Sequence, residues 1–127
     1  MNEIEQIKQA TSWEERYRLI IQASKHLPRP SDEALQQMQI VQGCESQVWF
    51  DIQPMQNGRY HFNAFSEARI MNGLLWILLQ AIDNQSAKQL KQFDLTHYFT
   101  QLGIAQRLSQ TRLNGLQQIA KQIHQLD

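Results

Sequence analysis

Apolar residues recur at helical spacing in the first part of the chain. Trp13, Tyr17, Ile20 and Ile21 share one side and Leu27 continues it, while Arg16, Arg18, Gln22 and Lys25 take the other positions. Ser12 and Glu15 stand just ahead in a Ser-x-x-Glu pattern, the spacing at which a hydroxyl and a carboxylate each satisfy a backbone donor at a helix start. The pattern predicts a helix that opens after Ser12 and stops before Pro28, with Pro28-Arg29-Pro30 as an extended linker. A shorter helix is expected from Asn2 to about Ala10.

After Gln39 the period changes from helical to alternating. Ile40-Val41 reads as a short strand, and Gly43-Cys44-Glu45-Ser46 interrupts it with turn-like residues. From Gln47 to Gln53, Val48, Phe50 and Ile52 point one way and Gln47, Trp49 and Asp51 the other. Asn57-Gly58 predicts a hairpin through a type I′ turn, whose two central residues need positive φ. Arg59 to Phe65 returns, with Tyr60, Phe62 and Ala64 alternating against His61 and Asn63. Together these segments predict a small antiparallel sheet of about three strands.

Helical periodicity then resumes. Ser66 is read as an N-cap and Glu67 as a first-turn acid favoured by the helix dipole. Ile70, Leu74, Ile77, Leu78 and Ile82 form the main face of that helix, widened by Leu75 and Trp76, so it should lie at the centre of the core. Ser86 with Gln89 suggests a second capping box for a short helix ending near Phe93. Tyr98, Phe99 and Leu102 sit on another short helix, ended by Gly103. The last helix runs from about Gln110 to Leu126, striped by Leu113, Leu116, Ile119, Ala120 and Ile123. The predicted fold class is α+β, a small antiparallel sheet packed against helices in a single domain spanning residues 1–127.

Composition narrows the function. The chain carries 12 basic and 12 acidic residues for a net charge of +0, which argues against nucleic acid or an anionic membrane as the main partner. The longest apolar stretch, Leu74 to Leu79, is far short of a bilayer span, and Met1 to Ala10 lacks an apolar signal core, so a cytoplasmic location is expected. There is one cysteine, too few within one chain for a disulfide, a Cys₄ zinc site or an iron–sulfur cluster. No HExxH, no ligand-spaced His or Cys cluster, no P-loop and no GxGxxG occurs, so neither a metal nor a bound cofactor is expected.

Cys44 is the residue whose setting invites chemistry. It follows Gly43, which permits a tight turn, and it lies on a loop between two strands. By residue type alone it is open to two readings. A free cysteine is commonly inert packing. A hydrolase or thiol oxidoreductase would need a histidine base for it, and of His26, His61, His97 and His124 only His61 falls on the sheet. Arg112 and Asn114 precede Gly115 in the last helix; glycine there costs about 1 kcal/mol against alanine and is read as a packing contact. Arg112 is read either as a surface charge or as an anchor near the thiol loop.

Five blocks, in order, carry a resemblance. They are Trp13-Glu14 with Arg16-Tyr17 and Leu27-Pro28; Gly43-Cys44-Glu45-Ser46-Gln47-Val48-Trp49; Ser66 through Leu74, read as SEARIMNGL; Phe93-Asp94 with Leu102-Gly103; and Leu108-Ser109 with Thr111 through Leu116. In these blocks the chain resembles the SufE/CsdE family of sulfur acceptor proteins, and Glu45-Ser46 and Arg69-Ile70 combine features of both branches. The resemblance implies a fold shared with iron–sulfur scaffold proteins and a cysteine desulfurase as partner, whose pyridoxal phosphate stays on the partner. It implies Cys44 as the persulfide acceptor, with sulfur passed on to iron–sulfur cluster assembly or another sulfur-using pathway. Glu45, Ser46, Glu67, Arg69 and Arg112 are the implied partner-binding residues. Such a chain would be a carrier and activator without turnover of its own.

Overall fold

The computed structural model describes residues 2–43 and 46–127. Among them run seven α-helices and a four-stranded antiparallel sheet, so the fold is α+β as predicted. Helix α1 spans Glu3–Gln9, capped by Asn2, whose side chain accepts the Glu5 N–H. Helix α2 spans Trp13–Ala23, and Ser12 caps it by accepting the Glu15 N–H at 3.1 Å. Glu15 completes the box differently from the expected pattern: its carboxylate accepts from Thr11 rather than reaching Ser12. The predicted helix ends in a 3-10 turn over Ser24–His26, ahead of the proline linker.

Helix α3, Asp32–Gln37, is an element the apolar pattern missed. It is short and buries only Leu35, so it leaves no periodic stripe. Its local signals are present in Ser31, which accepts the Ala34 N–H, and in the first-turn acids Asp32 and Glu33.

The sheet follows in the order β1 (Gln39–Ile40), β2 (Val48–Pro54), β3 (Arg59–Ser66) and β4 (Gln85–Ser86). Its fourth strand is two residues long, too brief to show alternation, and pairs with Arg59 and Tyr60. The hairpin between β2 and β3 is not type I′. Only Gly58 takes positive φ, at 78°, and Met55 N–H donates to Arg59 O at 2.8 Å around a three-residue loop. Asn57 contributes its side chain, accepting the Arg59 N–H.

Helix α4, Arg69–Ile82, crosses the core as its apolar circumference predicts, with ten residues buried. Phe50, Phe62 and Ala64 from one sheet face join Leu74, Ile77 and Leu78 in one buried cluster, with Phe50 stacked on Phe62 at 5.7 Å. Helices α5 (Ala87–Lys91), α6 (Leu95–Gln101) and α7 (Gln110–His124) close the cluster with Leu90, Phe99, Leu116, Ile119 and Ile123. The Ser86–Gln89 capping box is complete, and Gly103 ends the α6 region at φ 75°.

Close packing between α2 and α4 is fixed by Gly73. A Cβ there would lie 2.1 Å from the carbonyl oxygen of Ile20. Beside it, buried Asn72 ties three segments together. It accepts the Ser66 N–H at 3.1 Å and donates to the carbonyls of Ser24 and Leu27 at 3.0 and 2.9 Å. The predicted N-cap at Ser66 is therefore corrected. Ser66 is the last residue of β3, opposite Val48, and α4 starts three residues later at Arg69 without a side-chain cap.

Candidate functional site

The loop between β1 and β2 is closed at its base by Val41, whose N–H donates to Val48 O at 2.9 Å. Gly43 takes φ 84°, a left-handed backbone that glycine adopts without penalty, and no atom of the described residues lies within 4 Å of where its Cβ would stand. The predicted acceptor Cys44 and the predicted partner residue Glu45 lie outside the described residues. Ser46 is half-buried and Gln47 exposed where the chain enters β2.

Strand register decides what faces this end of the loop. Because Val48 pairs with Ser66, Ser46 and Gln47 run on past the end of β3, opposite Glu67 and Ala68. Ser46, Gln47, Trp49, Glu67 and Ala68 line a cleft of about 360 Å³. Two sequence blocks far apart in the chain thus meet, and two of the predicted partner residues, Ser46 and Glu67, share one cleft. Arg69 opens α4 two residues on from Glu67 and is exposed. Arg112 is half-buried in the first turn of α7, with its N–H capped by Ser109. Among the described residues no hydrogen bond or ion pair joins its side chain to Ser46, Glu67 or Arg69.

Arg29 was not singled out by its sequence, which shows only a cation between two prolines. Its Nε lies 3.7 Å from Glu67 Oε1, and its Nη1 donates to Asp32 at 2.9 Å. The two carboxylates hold the Arg29 guanidinium charged more firmly than usual, the Asp32 hydrogen bond contributing most. Arg29 thus links the cleft rim to the first turn of α3.

Apolar surface adjoins the cleft. Ile40, Trp49 and Phe65 form one row across three strands, with Trp49 stacked on Phe65 at 6.0 Å. Ile40 is 51% exposed and Trp49 half-buried, whereas Phe65 is buried beneath the row.

The histidine reserved for a thiol dyad is placed elsewhere. His61 faces Gln53, five residues along β3 from Ser66, roughly 17 Å at the rise of an extended strand. Its Nδ1 donates to Asp83, whose same oxygen accepts the Phe62 N–H. His26 bonds Glu3 and stacks on Trp76, His124 donates from Nε2 to the Phe93 carbonyl, and His97 is exposed on α6.

Other residues of the resembling blocks serve the fold. Arg16 donates to the carbonyls of Ile7 and Ala10 at 3.0 and 2.7 Å, closing the end of α1. Its guanidinium also lies where a side chain on Gly103 would stand. Trp13 receives Arg107 over its ring at 5.6 Å. No helix among the described residues is long and apolar enough to cross a membrane, and no group of three His, Cys, Asp or Glu among them could hold a metal ion.

Comparison with known proteins now bears on this geometry. The chain matches the SufE domain, described as an Fe-S metabolism associated domain, over residues 1–127. It is 59% identical to an uncharacterised SufE-like protein of Haemophilus influenzae, covering 97% of this chain and 98% of that one. It is 37% identical to the sulfur acceptor protein CsdE of Escherichia coli, over 89% of this chain and 77% of CsdE. Among solved structures, a hypothetical protein from Thermus thermophilus shares the fold at TM-score 0.73 and 14% identity, covering 95% of this chain and 87% of that one.

Proposed function

The chain belongs to the SufE family, and from that premise we propose that it is a sulfur acceptor for a cysteine desulfurase, with Cys44 as the accepting thiol. The observation that carries the proposal is the place of the sole cysteine. It falls within the block Gly43 to Trp49, in a chain 37% identical to a protein named as a sulfur acceptor.

The chemistry is a thiol–persulfide exchange. The Cys44 thiolate attacks the terminal sulfur of a persulfide on the desulfurase. The bond between the two desulfurase-side sulfurs breaks, its electron pair leaves with the desulfurase thiolate, and Cys44 becomes a persulfide. No external oxidant or reductant is consumed. An unperturbed thiol is only a few per cent thiolate at neutral pH, so a neighbouring cation in the complex would speed the attack. Glu45, next in sequence, would oppose that effect. A single cysteine suits a carrier, because no second thiol in the chain can discharge the persulfide by closing a disulfide.

The cleft supports a docking role for its rim. Ser46 and Glu67 share it, Arg69 stands in solvent nearby, and these with Glu45 and Arg112 form the proposed partner surface. The desulfurase carries the pyridoxal phosphate, and this chain acts in the cytoplasm as carrier and activator without turnover of its own. The sulfur passes on to iron–sulfur cluster assembly or another sulfur-using pathway. The competing reading, a Cys44 hydrolase or thiol oxidoreductase using His61, has less support because His61 is bonded to Asp83 at the other end of the sheet.

Desulfurase turnover with free cysteine tests the proposal. Adding this chain is expected to raise the rate of alanine formation, and Cys44→Ser to abolish the gain. Equal stimulation by Cys44→Ser would refute Cys44 as the acceptor, and ester hydrolysis lost in the same variant would favour the competing reading.

A further inference from the structure

A second cavity, of about 770 Å³, lies apart from the Ser46–Glu67 cleft and shares none of its lining residues. Its volume falls within the range of small-molecule sites. The polar face of the sheet supplies one wall through Asp51, His61 and Asn63. Helix α4 supplies another through Trp76 and Leu79, with Asp83 just past its end, and Met38 at the end of α3 also lines it.

Three observations define what this cavity can take. Its apolar side includes the Trp76 ring, one face of which is covered by His26 at 4.7 Å between centroids. With Leu27 and Leu79 the ring gives the cavity an apolar side against which an aromatic body can pack. The formal charges in the described lining, with histidines neutral, are those of Asp51 and Asp83, and no lysine or arginine is among them. The third observation is spare acceptor capacity. Asp51 accepts the Gln53 amide through Oδ2, and Asp83 accepts His61 and Phe62 through Oδ1. Among the described residues no donor is bonded to the second oxygen of either carboxylate, which keeps its lone pairs for a ligand. Anionic ligands are repelled by the same two groups.

The geometry points to a binding site for a small organic cation with a flat apolar body, its ammonium directed to Asp51 and Asp83 and its ring against Trp76 and Leu79. The site is independent of the sulfur-acceptor reading, since none of its residues belongs to the proposed acceptor loop or partner surface.

Two-dimensional NMR of the full chain tests it, with tryptamine as probe and indole-3-acetate as its anionic counterpart. Tryptamine is expected to move the Trp76 indole N–H and the His61 and Asn63 amides saturably, leaving the Trp13 and Trp49 indoles in place. Indole-3-acetate should bind more weakly. Asp51→Asn should weaken tryptamine about two- to fivefold, the scale of a partly exposed charge pair, and narrow the preference between the probes. Should that variant fail to fold, raising the salt concentration must weaken tryptamine binding to the unaltered chain in the same direction. Equal affinity for both probes, shifts that do not saturate, or perturbation centred on Trp13 or Trp49 would overturn the inference.

Discussion

Within the stretch from Ser66 to Leu74, Glu67 and Arg69 stand in solvent at the cleft, whereas Asn72 and Gly73 are buried where α4 packs on α2 and the turn after it. At the α2–α4 seam, backbone meets backbone and a buried amide satisfies three main-chain groups. At the cleft, the described side chains meet through a loose ion pair and exposed apolar surface. The difference teaches that one continuous block can hold residues kept for folding and residues kept for contact. Physical environment separates them where likeness to a family does not. The same division runs through the N-terminal block, where Arg16 and Trp13 fasten helices rather than face the cleft.

Substitutions at the seam should break the fold first. Gly73→Ala would force a Cβ into the Ile20 carbonyl, and overpacking against backbone should cost about 3 kcal/mol, read as a lowered denaturant midpoint. Asn72→Ala would strand the buried Ser66 N–H and remove two further bonds, with an expected loss of about 2 kcal/mol by the same measurement. If either variant were as stable as the unaltered chain, the seam would not be the fastening described.

A third test concerns Tyr98, whose hydroxyl donates to the Ile77 carbonyl beneath α4. Burial pushes its pKa up to about 12 from an ordinary 10. The unfolded chain therefore loses this proton first as pH rises, so the contribution to stability is full below pH 10 and lost by about pH 12. An absorbance titration should show one late tyrosinate, and Tyr98→Phe should flatten the alkaline loss of stability.

The smallest effect on stability is expected at the cleft. Glu67→Gln removes half of an exposed ion pair and should change stability by less than about 0.5 kcal/mol. If the cleft belongs to the partner surface, the same variant should raise the concentration needed for half-maximal desulfurase stimulation. A variant that unfolds the chain, or one that leaves stimulation unchanged, would erase the contrast between seam and cleft.

Much of this organisation is legible in the residues themselves. The apolar face of α4, the alternation in β2 and β3, and the caps at Ser12 and Ser86 all follow from local chemistry. What escaped depends on pairing across the chain. Asn57-Gly58 suits two kinds of hairpin, and the β2–β3 register selects the three-residue loop. Ser66 has the chemistry of a cap, yet the pairing with Val48 keeps it in the strand. The meeting of Ser46 with Glu67 rests on the same register, and the approach of Arg29 rests on a linker whose path no local pattern specifies. Asn72 was visible only as an amide inside an apolar stripe, a signal that marks a buried hydrogen bond once its partners are known.

The central claim is that Cys44 accepts sulfur, and the mass of the intact chain tests it most directly. After incubation with a cysteine desulfurase and free cysteine, the chain should gain the mass of one sulfur atom. The gain should map to Cys44, disappear on reduction and be absent from Cys44→Ser. An unchanged mass under conditions in which the desulfurase turns over, or the same gain in Cys44→Ser, would contradict it.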